Sequence, residues 1–215
     1  MAHPNANRLI VEGTDDLYSV VELMRLHIGW PPKKEDAPVE IKAAQGVDRI
    51  LEQKYLLQEI KTPGLRSLGV IVDADADLQS RYDSIRGCCL PLVPALPRKV
   101  PAEGLILEAE VNEEQRRFGV WIMPDNASTG SIETFLRFLV PPESAALWDL
   151  SVRSVTSAQN MGARCDTDKA NLYTWLAWQD EPGQSPGSAL IRRVLISQGA
   201  VATAFVTWFR NLYGL

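Results

Sequence analysis

Apolar positions along the chain switch between two periods. Arg8-Leu9-Ile10-Val11 is a short β-branched run that ends at Glu12-Gly13. Leu17, Val20, Val21 and Met24 then recur at the spacing of one helical face. Thr14 is the expected N-cap, and Asp15 and Asp16 suit the positive end of a helix dipole. Gly29-Trp30-Pro31-Pro32 predicts the end of that helix. Lys33 to Pro38 reads as a polar loop, Val39 to Ala44 as a short strand, and Gly46 to Ile60 as a helix closed by Pro63-Gly64. Leu68-Gly69-Val70-Ile71-Val72 is apolar throughout, the pattern of a strand covered on both faces. It runs into Asp73-Ala74-Asp75-Ala76-Asp77, after which Leu78, Tyr82, Ile85 and Cys89 mark another helix.

This alternation of strands and helices predicts a parallel sheet with helices on both faces, an α/β fold. Ligands in such sheets sit beyond the carboxyl ends of the strands. Both acidic clusters, at Glu12 and at Asp73 to Asp77, fall at that edge. Pro91 to Pro101 is a proline-rich loop. Gly104 to Glu110 and Phe118 to Met123 read as a hairpin joined through Asn112-Glu113-Glu114-Gln115. A helix begins near Gly130 with Ile132, Phe135, Leu136 and Leu139 inward. Beyond Pro141-Pro142 the pattern is mainly helical, with breaks near Gly162 and at Pro182 to Gly187. The expected organisation is a core over 1–140, including the hairpin at 104–124, with a helical C-terminal elaboration over 141–215 packed on it.

Composition narrows the class. The chain has 215 residues, and 46% are hydrophobic, which excludes a disordered chain. Three cysteines, two of them the neighbours Cys88 and Cys89, make no disulfide framework, and with two histidines a structural zinc site is not expected. Residues 1–13 lack a charged head followed by an apolar run, so no signal peptide is expected. The longest uncharged stretch, Val194 to Phe209, is too short and polar to cross a bilayer. A cytoplasmic protein without membrane contact is the expectation. The net charge of −5 offers no basic surface for nucleic acid.

The acidic clusters change that picture. Residues two apart on a strand share a face, so Asp73 and Asp75 would repel each other unless a cation lies between them. Mg²⁺ takes one or two carboxylates plus waters and phosphates. Glu12 could supply a third carboxylate and Asp16, one helical turn on, a fourth. Such aspartates also serve turns and N-caps, and Asp77 could cap the following helix. The D-x-D-x-D spacing lacks the glycine and bidentate glutamate of a calcium loop.

A strand ending in Glu-Gly, two crossovers, and a strand ending in Asp-x-Asp resembles the Toprim domain. That domain is shared by topoisomerases, bacterial primases and the overcoming-lysogenization-defect (OLD) nucleases. Ile10-Val11-Glu12-Gly13 and Val70-Ile71-Val72-Asp73-Ala74-Asp75-Ala76-Asp77 carry the likeness. Phe118 to Asn126 (FGVWIMPDN), Gly130, Glu133, Asp168-Lys169 and Thr174 to Gly183 resemble an uncharacterised bacterial Toprim-like family, over nearly the whole chain. The resemblance implies a Toprim-like, mainly parallel sheet flanked by helices, and one or two Mg²⁺ or Mn²⁺ ions. It makes Glu12 a metal ligand or general acid/base, and Asp73 and Asp75 metal ligands, with Asp77 beside them. The OLD nucleases carry a second acidic residue one turn after the glutamate, matched by Asp16, then a later acidic cluster and a lysine. Chain order assigns these to Asp125 or Glu133 and to Lys169.

The function implied is a metal-dependent nuclease that hydrolyses phosphodiester bonds of DNA or structured RNA, tRNA included. OLD-like nucleases often act with an ATPase in phage defence. This chain has no G-x-x-x-x-G-K-[ST], so the ATPase would be a separate protein. The alternative is a non-catalytic Toprim module that docks on such an ATPase. A nucleotidyl transferase would want a basic template face, which the sequence lacks. Other notable residues have plainer readings. Trp121 and Met123 suit the core, Trp175 and Trp178 form a stripe for core or partner docking, and His27 is structural. Arg116-Arg117 and Arg192-Arg193 suit solvent, and Cys88-Cys89 suits packing. Val201 to Leu212 suits the core or an oligomer interface.

Overall fold

A computed structural model describes residues 6–52 and 54–215, without the Lys34 side chain. Residues 1–5, including His3, and Gln53 within the expected helix at 46–60 lie outside the described residues.

Five strands form one sheet: β1 (Asn7–Val11), β2 (Glu40–Ala43), β3 (Ser67–Asp73), β4 (Leu105–Val111) and β5 (Glu114–Met123). Their order is β2-β1-β3-β5-β4. β1, β2, β3 and β5 run parallel, and β4 is antiparallel at one edge. The expected class holds: a mainly parallel α/β sheet flanked by helices, with a hairpin and a helical C-terminal part.

Helix α1 (Thr14–Ile28) carries the chain from β1 to β2. The next crossover passes α2 (Val47–Ile50) and α3 (Tyr55–Ile60) and returns to the far side of β1. The strand order therefore reverses between β1 and β3, which is where open α/β sheets bind ligands. The single helix expected over 46–60 is two short ones, and the hairpin strands reach closer together than expected. Asn112 and Glu113 alone make its turn, both at positive φ (53° and 65°), the signature of a twist-matched two-residue hairpin.

The core has two layers, set by the alternation of strand side chains. Leu9, Val11, Ile71, Trp121 and Met123 face one of them. It is completed by α1, α5 (Ile132–Arg137), α6 (Ala145–Asn160), α7 (Thr167–Ala177), α8 (Pro186–Ile191) and α9 (Ala200–Tyr213). Ile10, Val70, Val72, Val120 and Ile122 face the other layer, where α3 and α4 (Leu78–Cys89) pack. The C-terminal run is thus core: Phe205, Trp208, Phe209 and Leu212 are at most 1% exposed. Helix α9 lies close on the sheet at Gly69 and Gly119, where a Cβ would meet Leu212 at 2.9 and 2.6 Å. No helix among the described residues is long and apolar enough to cross a membrane.

Candidate metal and acid-base site

The site forms at the carboxyl ends of β1 and β3. β1 ends at Val11, so Glu12 is the first residue beyond it, and Asp73 is the last residue of β3. Because the two strands are neighbours, both carboxylates arrive at the reversal point. Glu12 Oε1 accepts a hydrogen bond from the Asp73 backbone N–H at 2.8 Å. Asp73 Oδ1 accepts one from the Ile132 N–H at 2.9 Å, which ties β3 to α5. Asp16, in the first turn of α1, accepts from the Gly13 N–H at 2.7 Å. Gly13, not Thr14, is the N-cap of α1, and Asp16 caps the turn from within.

These three carboxylates share an electrostatic problem. Burial pushes Glu12 up to about 7, with Asp16 and Asp75 adding repulsion. Burial, then Glu133 and Asp15, push Asp16 up to about 6. Asp73 is driven furthest, to about 9, by burial and then by Glu12, Asp16, Glu133 and Asp75. Among the described residues no Lys or Arg nitrogen lies within 4.0 Å of Glu12, Asp16 or Asp73. A protonated carboxyl or an external cation is what keeps such a group buried.

Glu133 and Lys169 come to the same place. Glu133 is 9% exposed on α5, and one of its oxygens accepts from the Ser131 hydroxyl. Lys169, on α7, sits 3.8 Å from Glu133 Oε1 and 3.5 Å from Asp15 Oδ2. Half of its side chain remains open to solvent.

The other expected ligands are otherwise engaged. The period-two strand geometry ends at Asp73, and Asp75 stands at φ 51°, a conformation aspartate tolerates. Its backbone exchanges two 2.9 Å hydrogen bonds with Gly130, and its carboxylate pairs with Arg81. Asp75 remains near enough to raise Glu12 and Asp73. Asp77 caps α4, accepting from the Ser80 N–H at 2.9 Å. Asp125 closes its own turn, accepting from the N–H groups of Ala127 and Ser128 and from the Ser128 hydroxyl.

Three neighbours were not expected at the site from the sequence. Arg81 lies one turn beyond the α4 cap and lowers the Glu12 pKa as well as pairing with Asp75. Asp15 accepts from the Tyr173 hydroxyl at 3.1 Å. Tyr173 lies four residues after Lys169 on α7, so it shares that helix face, a spacing from which it could have been found.

Among the described residues no three His, Cys, Asp or Glu side chains stand together as a ready metal cage. Mg²⁺ does not require one, since it binds through one or two carboxylates and keeps its waters. The donor set, unpaired carboxylate oxygens on adjacent strand ends, fits a hard divalent cation in kind. Elsewhere His27 bonds the Ser197 carbonyl at 2.8 Å, and Trp121 and Trp175 are fully buried, while Trp178 is partly exposed. Arg116 is buried, not solvated, and donates to the Thr62 carbonyl at 2.9 Å.

No curated protein and no solved structure matches the chain. One family model spans residues 6–214, so the chain belongs to DUF3226, a family described as a protein of unknown function.

Proposed function

We propose that this chain is a Toprim-type nuclease that uses Mg²⁺ or Mn²⁺ to hydrolyse phosphodiester bonds of DNA or structured RNA. A separate ATPase would be its partner, as in the OLD-like systems its motifs resemble. One observation carries the reading. Glu12, Asp16 and Asp73 are gathered at the sheet's reversal point, Asp16 buried and the other two half-buried, with pKa values pushed up and no cation paired to them among the described residues.

Glu12 and Asp73 would hold the ion, with Asp16 and Glu133 beside them. When bound, one or two such ions supply a polarised water and a positive charge facing the phosphate. Without metal, burial and neighbouring carboxylates push Glu12 up to about 7, so binding of the ion would displace a proton from it near neutrality. Lys169 offers an ammonium that can hydrogen-bond a phosphate oxygen and steady its developing charge. The net charge of −5 does not oppose this, because five of the acidic side chains, Glu12, Asp16, Asp73, Asp75 and Asp77, lie in or next to the cluster.

The test incubates purified protein, with and without a co-encoded ATPase, with plasmid, single-stranded DNA and tRNA in Mg²⁺ or Mn²⁺. Cleavage should fall at least about 100-fold in Glu12→Gln and Asp73→Asn. Cutting that survives both substitutions would sink the site. The second reading, a non-catalytic docking module, draws on Asp75 and Asp77 being tied to Arg81 and to a helix cap. Stable binding to the ATPase without cleavage under any condition would favour it.

A further inference from the structure

We infer that the cleft between α5, α6 and α7 is a nucleobase subsite that takes guanine. The inference rests on the nuclease reading for the source of the base and names a feature of the substrate. The cleft has a volume of about 290 Å³, at the small end for ligand sites and suited to a single ring system. Glu133 belongs both to its wall and to the carboxylate cluster, so a nucleotide held here has its phosphates beside that cluster.

The wall is made of acceptors with one strong donor. Glu133, Asp149 and Asp168 line it with carboxylates, and none of the three pairs with an arginine among the described residues. Asn171 lines it from α7 and is 7% exposed, and its side-chain oxygen is buried without a hydrogen-bond partner among the described residues. A buried amide oxygen left unpaired is costly, and the terminal torsion of the side chain is loose enough to turn either end to a ligand. Arg137 lies over the Trp148 ring, 5.7 Å from its centre, on the same wall.

This pattern selects among ligands. A lysine or arginine side chain from a partner would satisfy the carboxylates but would meet the Arg137 guanidinium. Guanine alone of the four common bases sets two donors, N1–H and N2–H₂, side by side for one carboxylate. Its O6 acceptor stands next to them, where a guanidinium can donate. Asp149 can take the donor pair, since one Asp168 oxygen already accepts from the Thr134 hydroxyl, with Arg137 at the O6, and Asp168's other oxygen or the Asn171 amide at a remaining edge atom.

The test titrates guanosine, adenosine, cytidine and uridine against the full chain in EDTA by ligand-observed NMR. Neutral nucleosides avoid repulsion between a phosphate and the carboxylates. Guanosine should bind about tenfold more tightly than the others. Asp168→Asn combined with Asp149→Asn should remove that preference while the circular dichroism spectrum is unchanged. Glu12→Gln should keep it while cleavage is lost, which separates this inference from the catalytic one. If wild-type protein cleaves nucleic acid but shows no guanosine preference, the subsite is wrong and the nuclease reading stands. If guanosine is preferred and no cleavage occurs, the reverse holds. Equal binding of all four nucleosides, a preference that survives the double substitution, or binding of argininamide in place of guanosine overturns the inference.

Discussion

The two ends of the sheet treat buried charge in opposite ways. At the amino end Arg8 is 5% exposed and fully engaged. It meets Glu40 at 2.9 Å, Glu59 at 2.6 Å and the Thr62 hydroxyl at 3.0 Å. Arg116 beside it meets Glu114 at 2.6 Å and two carbonyls. At the carboxyl end Asp16 is buried and Glu12 and Asp73 are half-buried, with backbone donors for company and no cation at ion-pair distance among the described residues. Charges of one sign gathered in low dielectric without compensation raise the energy of the fold. At the amino end the chain itself pairs the charges, with Arg116 Nε alone of the Arg116 guanidinium nitrogens left without a partner among the described residues. Under the proposed function the carboxyl end takes a divalent cation, which has the charge and hardness that such a carboxylate group suits.

The largest expected effect is at the compensated end. Arg8→Met would leave Glu40 and Glu59 facing an apolar group, and losing one partner of a buried pair costs about 3–5 kcal/mol. Urea unfolding should show a loss of at least about 3 kcal/mol, with Glu59 partly rescued by Lys42 at 3.5 Å. A loss near zero would mean that the amino end is not held by its ion pairs, and the contrast between the ends would collapse.

The opposite sign is expected at the carboxyl end. Asp16, Glu12 and Asp73 have folded-state values of about 6, 7 and 9, all above those of an unfolded chain. The folded protein therefore holds more protons than the unfolded one across this range, and stability falls as pH rises. In EDTA the melting temperature should drop steadily from about pH 5 to about pH 9, the reverse of the usual carboxylate trend. Mg²⁺ should flatten the curve by displacing the protons. Asp73→Asn should stabilise the metal-free protein at about pH 9 by about 1 kcal/mol, the scale of one pKa unit. A melting temperature that rises with pH in EDTA would show that the cluster is already compensated.

Much of this contrast is legible in the sequence, and the reason is local. A β-branched run ending in Glu-Gly and an apolar run ending in Asp need only their own neighbours to define strand, turn and helix, so Glu12 and Asp73 can be placed without knowing the sheet. Glu133 and Lys169 are assigned by order along the chain, and the fold brings them to the cluster across α5 and α7. Asp75 is harder. Its expected position assumes that the strand continues, whereas the pairing with Gly130 turns the backbone at Ala74–Asp75. The compensated end is illegible for the converse reason. Arg8 finds Glu40 only after the first crossover and Glu59 within the second, and Arg116 finds carbonyls at and just beyond the end of α3. Such partners are tertiary, and no periodicity announces them.

A smaller effect separates cap from cluster. Asp77 lies four residues from Asp73, but its oxygen is spent on the Ser80 N–H. Asp77→Ala should cost about 1 kcal/mol, the ordinary loss of an N-cap, and leave Mg²⁺ affinity unchanged in calorimetry. Asp77→Ser, which keeps a capping oxygen, should restore stability. Weakened Mg²⁺ binding in Asp77→Ser would place this carboxylate among the ligands and enlarge the uncompensated group.

The smallest change in stability is expected at Lys169. Its contacts with Asp15 and Glu133 are 3.5 and 3.8 Å long, and its side chain is 53% exposed. Ion pairs of that kind contribute about 0–1 kcal/mol, so Lys169→Ala should unfold within about 0.5 kcal/mol of the parent. Its other consequences should be larger and opposed. Removing a positive charge from the edge of the cluster should tighten Mg²⁺ binding, because the two cations compete for the same carboxylate field. Cleavage should nevertheless fall about tenfold or more, because the ammonium that meets the phosphate is gone. Tighter metal binding together with slower cleavage would assign Lys169 to the substrate. Weaker metal binding in Lys169→Ala would instead make it part of the scaffold that shapes the carboxylates, and the uncompensated end would then include its own partial answer.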